Sequence, residues 1–416
     1  MKTRLLLLAF ILVLATAACI GWFIWFRGSM TDGTLPLYLT WHDDPTTTMT
    51  VCWLSGTPDS PQPHVFYHAK GDDTWHRAVG KARPFPHTGQ TINHVDLTGL
   101  QPGTRYEFLT SETGEFFTFE TLPATLDAPL RFVEGGDAAD DFEITDRMNA
   151  LAGKRDPAFV VLGGDLAYCN GEPGRANRWT TFFQSMHRHL RAPDGRLIPV
   201  IVAIGNHEVR LRDKARWPEN LPADAKTRND LSAAFHAAFP FPGDPAFGVI
   251  DVGDYLSLVF LDSNHLTPVA GAQTEWLART LEERRGRPNV LPVYHVPAYP
   301  SKNDYDHYTS KDIRKNWVPL FEEAGLRLAF EHHGHTFKIT HPIRDGKVDP
   351  DGIVYVGDGA WGVKPREVHP VDQTWYLSKA GNIQHLHEVT LEPGRRTVES
   401  ISIDGETLNT FSQTVP

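Results

Sequence analysis

Apolar and polar positions follow two different rhythms along this chain. From residue 31 to 125 the apolar runs are short, rich in Thr, aromatic and β-branched residues, and separated by turn signals. They predict strands over Leu35–Trp41, Met49–Leu54, His64–Ala69, Thr91–Leu97, Thr104–Thr110 and Glu115–Thr121. Ser55-Gly56-Thr57-Pro58 and Gln101-Pro102-Gly103 mark two of the turns. From about Pro129 to the end, apolar runs alternate with helical stretches, for example Arg175–Leu190, Leu231–Phe239, Gln273–Arg285 and Ile313–Glu323. Strands interleaved with helices predict an α/β layered domain over 126–416, behind an all-β domain over 31–125. The charged, proline-punctuated segment Arg210–Asp230 reads as a surface loop or lid.

A third pattern precedes both. Lys2 and Arg4 lead into an apolar run from Leu5 to Phe26 that Arg27 closes. The run is longer than the ~20 residues that span a bilayer, and the charges before it favour an inside N-terminus. This predicts a signal anchor over residues 1–30, with the remainder membrane-tethered and extracytoplasmic. A cleaved signal near Ala17-Ala18-Cys19 is the alternative, and would leave the chain secreted or periplasmic.

In the α/β part, one apolar run after another stops at a side chain able to bind a metal. Leu130–Val133 leads to Gly135-Gly136-Asp137, Phe159–Leu162 to Gly163-Gly164-Asp165-Leu166-Ala167-Tyr168, and Val200–Ile204 to Gly205-Asn206-His207-Glu208. Val290–Tyr294 ends at His295, and Leu326–Phe330 at Glu331-His332-His333-Gly334-His335. Sites in α/β sheets form outside the carboxyl ends of strands, where loop tips converge. Oxygen and imidazole donors together suit Fe, Zn or Mn, and exclude a calcium cage or a thiolate site. Seven candidate ligands are too many for one ion, so two ions sharing one carboxylate fit the count. Asp262-Ser263-Asn264-His265 also follows an apolar run, and is given no metal role.

Composition narrows the field. With 40 Lys+Arg against 51 Asp+Glu the formal net charge is −11, which argues against a nucleic-acid binder. The 41% hydrophobic content excludes a disordered chain and a polytopic membrane protein. Three cysteines cannot make a disulfide framework, and Cys52 and Cys169 stand as either a pair or two buried thiols. Twenty histidines are a high share, and the strand-end motifs give several of them a use.

The order Asp137, Gly164-Asp165-Leu166-Ala167-Tyr168, Gly205-Asn206-His207-Glu208, His295 and His333-Gly334-His335 resembles the purple acid phosphatases of the metallophosphoesterase superfamily. The tyrosine three residues after the second Asp is the discriminating element. The stretch Leu97–Tyr106 resembles the loop and tyrosine-bearing strand of fibronectin type III domains, as found before the catalytic domain in larger members. The resemblance implies a four-layered β-sandwich flanked by helices, the metallophosphoesterase fold, behind a fibronectin type III-like domain.

It also implies Fe(III) on Asp137, Asp165, Tyr168 and His335, and a divalent Fe, Zn or Mn on Asp165, Asn206, His295 and His333. The implied reaction is hydrolysis of small-molecule phosphate monoesters, a metal-bound hydroxide attacking phosphorus in line. A phosphodiesterase or nucleotidase with the same centre is the first alternative. A non-catalytic cell-surface binding protein is the second. His207 and His307 are implied to meet the substrate, and Glu208 to orient a ligand. Three positions depart from the family pattern: Ala139 where Gly is usual, Pro292 where Val is favoured, and His332 where Gly is usual and where an imidazole would crowd the site.

Overall fold

A computed structural model describes residues 35–56, 62–110, 114–210, 225–241 and 246–416. The signal-anchor segment 1–30 and most of the predicted lid lie outside these residues. The end of the lid, inside them, is helical over Ala225–Leu231. Among the described residues no helix is long and apolar enough to cross a membrane.

Residues 37–120 form two four-stranded sheets. One holds Leu37–Thr40, Met49–Ser55, Thr91–Leu97 and Lys81–Pro84; the other holds His76–Val79, His64–Ala69, Arg105–Thr110 and Phe117–Glu120. Every inward-pointing residue of Met49–Ser55 is buried, and Phe108, Phe117 and Phe119 fill the space between sheets. Tyr106 Oη accepts the Gln101 N–H at 2.8 Å. This is the corner contact expected of a tyrosine at the start of such a strand.

The larger part holds two sheets of six and seven strands. In the first, Leu130–Gly135, Val160–Leu162 and Val200–Val202 run parallel side by side. In the second, Leu256–Leu261, Asn289–Tyr294, Leu328–Glu331 and Val354–Gly357 do the same. These strands are almost wholly buried, as parallel strands covered on both faces must be. Phe132 and Phe330 meet between the sheets, ring centroids 6.5 Å apart. Helices Phe142–Lys154 and Asn177–His189 pack Met148, Trp179, Phe182 and Phe183 onto the first sheet. Trp317 and Phe321 of the segment Tyr308–Glu323, with Leu277 and Leu281 of helix Ala272–Glu283, cover the second. Four layers result, helix, sheet, sheet, helix.

The two parts share one core. Tyr38 stacks on Phe183 at 4.3 Å, its hydroxyl donates to the Ala238 carbonyl, and Arg83 donates to the Ala237 carbonyl at 3.1 Å. Cys52 and Cys169 are buried free thiols, which selects one of the two readings of the sequence.

Candidate metal centre

Every proposed ligand sits just past the carboxyl end of a buried parallel strand, three loops coming from the first sheet and two from the second. Asp165, His295 and His333 each place a ligand atom within 4.8 Å of the others, and so do Asp137, Asp165 and His335. Asp165 belongs to both groups. Its Oδ2 is 3.1 Å from His295 Nε2, which is 3.3 Å from His333 Nδ1. On the other side His335 Nε2 is 3.0 Å from Asp137 Oδ1, and Tyr168 Oη lies 3.1 Å from each.

The backbone is bent hard to bring these groups together. Asp137, Asp165, Tyr168, His333 and His335 have φ of 58°, 53°, 52°, 75° and 58°. Each non-glycine residue in the left-handed region costs about 1–2 kcal/mol. Such strain persists only where the surroundings over-determine it. Here close glycines let the loops interlock: a Cβ on Gly205 would lie 2.3 Å from Asp165 N and Oδ1, and one on Gly359 1.8 Å from Asp137 Oδ2.

Hydrogen bonds then fix each side chain. The Glu208 carboxylate accepts the N–H groups of Asp165, Leu166 and Gly205, all at 2.8 Å, and so stitches two ligand loops together. Asp137 Oδ2 accepts the His333 N–H at 2.9 Å, and Asp165 Oδ1 the His207 N–H at 2.7 Å. His295 Nδ1 is 2.9 Å from the Gly163 carbonyl. A carbonyl only accepts, so Nδ1 carries a proton, and Nε2 is the nitrogen that faces Asp165. His207 Nδ1 bonds Asn170 Oδ1, its Nε2 is 3.7 Å from Asp165 Oδ2, and its ring packs 4.2 Å from that of Tyr168.

Electrostatics prepare the donors in the same sense. Burial pushes the Asp165 carboxyl up, but the imidazoles of His295 and His207 outweigh it and hold it well below the usual carboxylate range. Burial also raises Asp137, and His335 and His295 again reverse the direction. His333 is driven down to about 3 by burial and by His295, which keeps its imidazole neutral. Glu208 is pushed up to about 8 by burial and the neighbouring Asp165 charge.

Two buried oxygens test whether ions belong here. Asp165 Oδ2 and Asn206 Oδ1 have no hydrogen-bond partner. A buried acceptor left unsatisfied costs about 1–3 kcal/mol, and a cation would satisfy both. The residues therefore fit a metal pair: Asp137, Asp165, Tyr168 and His335 around one position, Asp165, Asn206, His295 and His333 around the other.

Of the residues expected to meet substrate, His207 touches the shared carboxylate. His307 lines a cavity of about 180 Å³ together with Asn206 and His333. Ser263, Asn264 and His265 line that cavity too. They follow an apolar strand like every ligand loop, so the same signal pointed to them. His332 does not crowd the ligands: it is fully buried, with Nε2 2.5 Å from Glu134 Oε1 and Nδ1 2.9 Å from the Tyr294 carbonyl. Trp361, in the glycine-rich stretch Gly357–Gly362, packs against Gly135 and donates to Asn149 Oδ1 at 2.9 Å. Arg314, which shares helical spacing with Lys311 and Lys315, lies 3.6 Å over the Tyr305 ring and donates to two carbonyls.

Comparison with known proteins agrees with this geometry. The family model of the purple acid phosphatase N-terminal domain matches residues 35–121, and that of calcineurin-like phosphoesterases matches 136–338. Purple acid phosphatase 21 of Arabidopsis thaliana is 28% identical over 64% of this chain and 58% of its own length. Purple acid phosphatase 15 of the same plant is 24% identical over 66% of this chain and 54% of its own. An uncharacterised protein of Mycobacterium tuberculosis is 24% identical over 81% of this chain and 65% of its own. The chain thus spans little more than half the length of the two plant relatives. With both family models matched in order and the candidate strand-end ligands gathered around Asp165, the chain belongs to the calcineurin-like phosphoesterases as a purple acid phosphatase-like member.

Proposed function

We propose that the chain is a binuclear metal-dependent hydrolase of phosphate monoesters. The observation that carries the reading is the pair of candidate ligand groups sharing Asp165, with a buried oxygen on Asp165 and one on Asn206 that make no hydrogen bond. Asp137, Asp165, Tyr168 and His335 would hold Fe(III). Asp165, Asn206, His295 and His333 would hold a divalent Fe, Zn or Mn ion. Such ions, when bound, lower the pKa of coordinated water and offset the charge that develops on phosphoryl oxygens.

The chain's own residues do the rest. The Glu208 carboxylate keeps the Asp165 and Asn206 loops in register. Asn170 Oδ1 accepts from His207 Nδ1, which orients the ring beside the shared carboxylate. His207 would hold a phosphoryl oxygen through Nε2. His307 would hand a proton to the departing alkoxide: burial lowers its pKa, so a proton taken up in acid is readily given away. We further propose the division into 31–125 and 126–416, and tethering of an extracytoplasmic enzyme through residues 1–30, on the strength of the apolar run Leu5–Phe26.

Metal analysis of protein purified with iron, together with phosphate release from an aryl phosphate across pH, tests the reading. Two ions per chain and an acid-shifted profile are expected. A metal-free protein that still releases phosphate would overturn it.

A further inference from the structure

The cavity beside Asn206 and His333 has walls that no proposed ligand supplies. On one side is the loop Ser263–His265, on the other His307, Tyr308 and Thr309, with Val209 and Val296 completing the lining. We infer that these walls form a leaving-group subsite that selects phosphate monoesters of compact alcohols bearing a single aromatic ring; the inference rests on the phosphoesterase reading above.

Size is the first ground. The cavity measures about 180 Å³. A void of about 150 Å³ takes one benzene ring. A nucleoside, with a sugar and a bicyclic base, would stand largely outside it.

Chemistry is the second. The hydroxyl and amide groups along the walls are already engaged in holding the walls themselves. Ser263 Oγ accepts the Val296 N–H at 2.9 Å and is 3.1 Å from His265 Nε2. Asn264 Nδ2 reaches Thr309 Oγ1 at 3.3 Å and Asp312 Oδ2 at 3.4 Å, while Asn264 Oδ1 accepts the Val269 N–H at 2.7 Å. What the cavity then offers a leaving group is Val209, Val296 and the ring of Tyr308, which is 40% exposed and packed at 4.4 Å against His307. A half-exposed aromatic face is where a second ring is held, by offset or edge contact.

Preorganisation is the third ground. Asn264 sits at φ 67° and ties the two walls together. Asp262 holds the loop beneath it by accepting the N–H groups of His265, Leu266 and Thr267 at 2.7, 2.8 and 2.6 Å. A subsite fixed before binding loses little entropy on filling.

The test compares kcat/KM of the metal-loaded full chain for benzyl phosphate, glycerol 2-phosphate and adenosine 5′-monophosphate. Benzyl phosphate carries its ring on an ordinary alkoxide, so ring recognition is not confused with leaving-group reactivity. Benzyl phosphate should be preferred over both others by about tenfold or more, the discrimination one apolar group supplies. Tyr308→Ala should bring the benzyl-to-glycerol ratio close to one, chiefly through KM, and Tyr308→Phe should keep it. Equal kcat/KM for the three esters, or a ratio that Tyr308→Ala leaves unaltered, would overturn the inference while phosphatase activity stands. Preference for the nucleotide would overturn it in favour of a nucleotidase. Ions bound but no phosphate released from any ester would overturn the phosphoesterase reading itself.

Discussion

Asp165 and Asp262 occupy like positions and do opposite things. Both are fully buried carboxylates at the end of a buried strand, Asp262 directly after it and Asp165 after two glycines. Asp262 turns back on its own loop and spends both oxygens on three N–H groups, 2.6–2.8 Å away. Asp165 accepts one N–H through Oδ1, and its own N–H is taken by Glu208, which leaves Oδ2 without a hydrogen-bond partner among five converging loops. Of these two strand-end carboxylates, the one whose oxygens are satisfied by its own loop is a structural clip, and the one that keeps an oxygen over beside the histidines is the candidate ligand. The distinction rests on hydrogen-bond accounting, not on residue type or position.

Substitutions can break that contrast, the strongest first. Asp165→Asn removes the charge common to both ligand groups. We expect a fall in kcat of about a thousandfold, roughly 4 kcal/mol in the barrier, and fewer than two ions per chain by metal analysis. Full activity would sink the shared-carboxylate arrangement. Asp262→Ala strands three buried N–H groups, and at about 1 kcal/mol or more for each it should lower stability by roughly 3 kcal/mol. Chemical denaturation would measure that, and metal content should stay at the wild-type level. Loss of metal with stability intact would mean the two aspartates had been assigned the wrong way round.

Smaller effects probe the supports. Asn170→Ala releases His207 Nδ1 and should cost about tenfold in kcat by loosening orientation, with both ions retained. If the rate is unchanged, His207 needs no such hold. Tyr168→Phe should change the rate least and the appearance most. It removes the phenol beside Asp137 and His335, so the visible absorption of iron-loaded protein should disappear. A protein that stays coloured after this change places its chromophore elsewhere, and a wild type that is colourless and iron-free yet active would point to a di-zinc or di-manganese centre.

The candidate ligand loops stand out in the sequence because each follows a mostly apolar run, and burial of such a strand marks where it stops. Strand positions in 31–125 were legible where alternation was clear, as in Thr91–Leu97. The strands His76–Val79 and Lys81–Pro84 were not: all of their residues but Ala78 are exposed, so no buried face imposes a periodicity on them. Helix Phe142–Lys154 went unnoticed although Asp141 caps it, accepting the Glu143 and Ile144 N–H groups. The cavity wall at Ser263–His265 was dismissed for want of a ligand role. Its meaning depends on Asn264 reaching Thr309, a contact across 45 residues that no local pattern encodes. Two other cations flank Arg314 at helical spacing, a pattern that by itself marks a solvated face, whereas Tyr305 draws it inward.

His332 has a consequence for the history of this centre. Its imidazole occupies the volume directly over two backbone positions of the neighbouring loops. A methyl group on Gly163 would lie 1.8 Å from His332 Cε1, and one on Gly136 2.4 Å from Cδ2. Neither glycine can acquire a side chain while the histidine is present, and Glu134 would lose its buried partner if the histidine left alone. Positions 134, 136, 163 and 332 are thus bound to change together, and a descendant lineage that altered one would have to pass through correlated replacements at the rest.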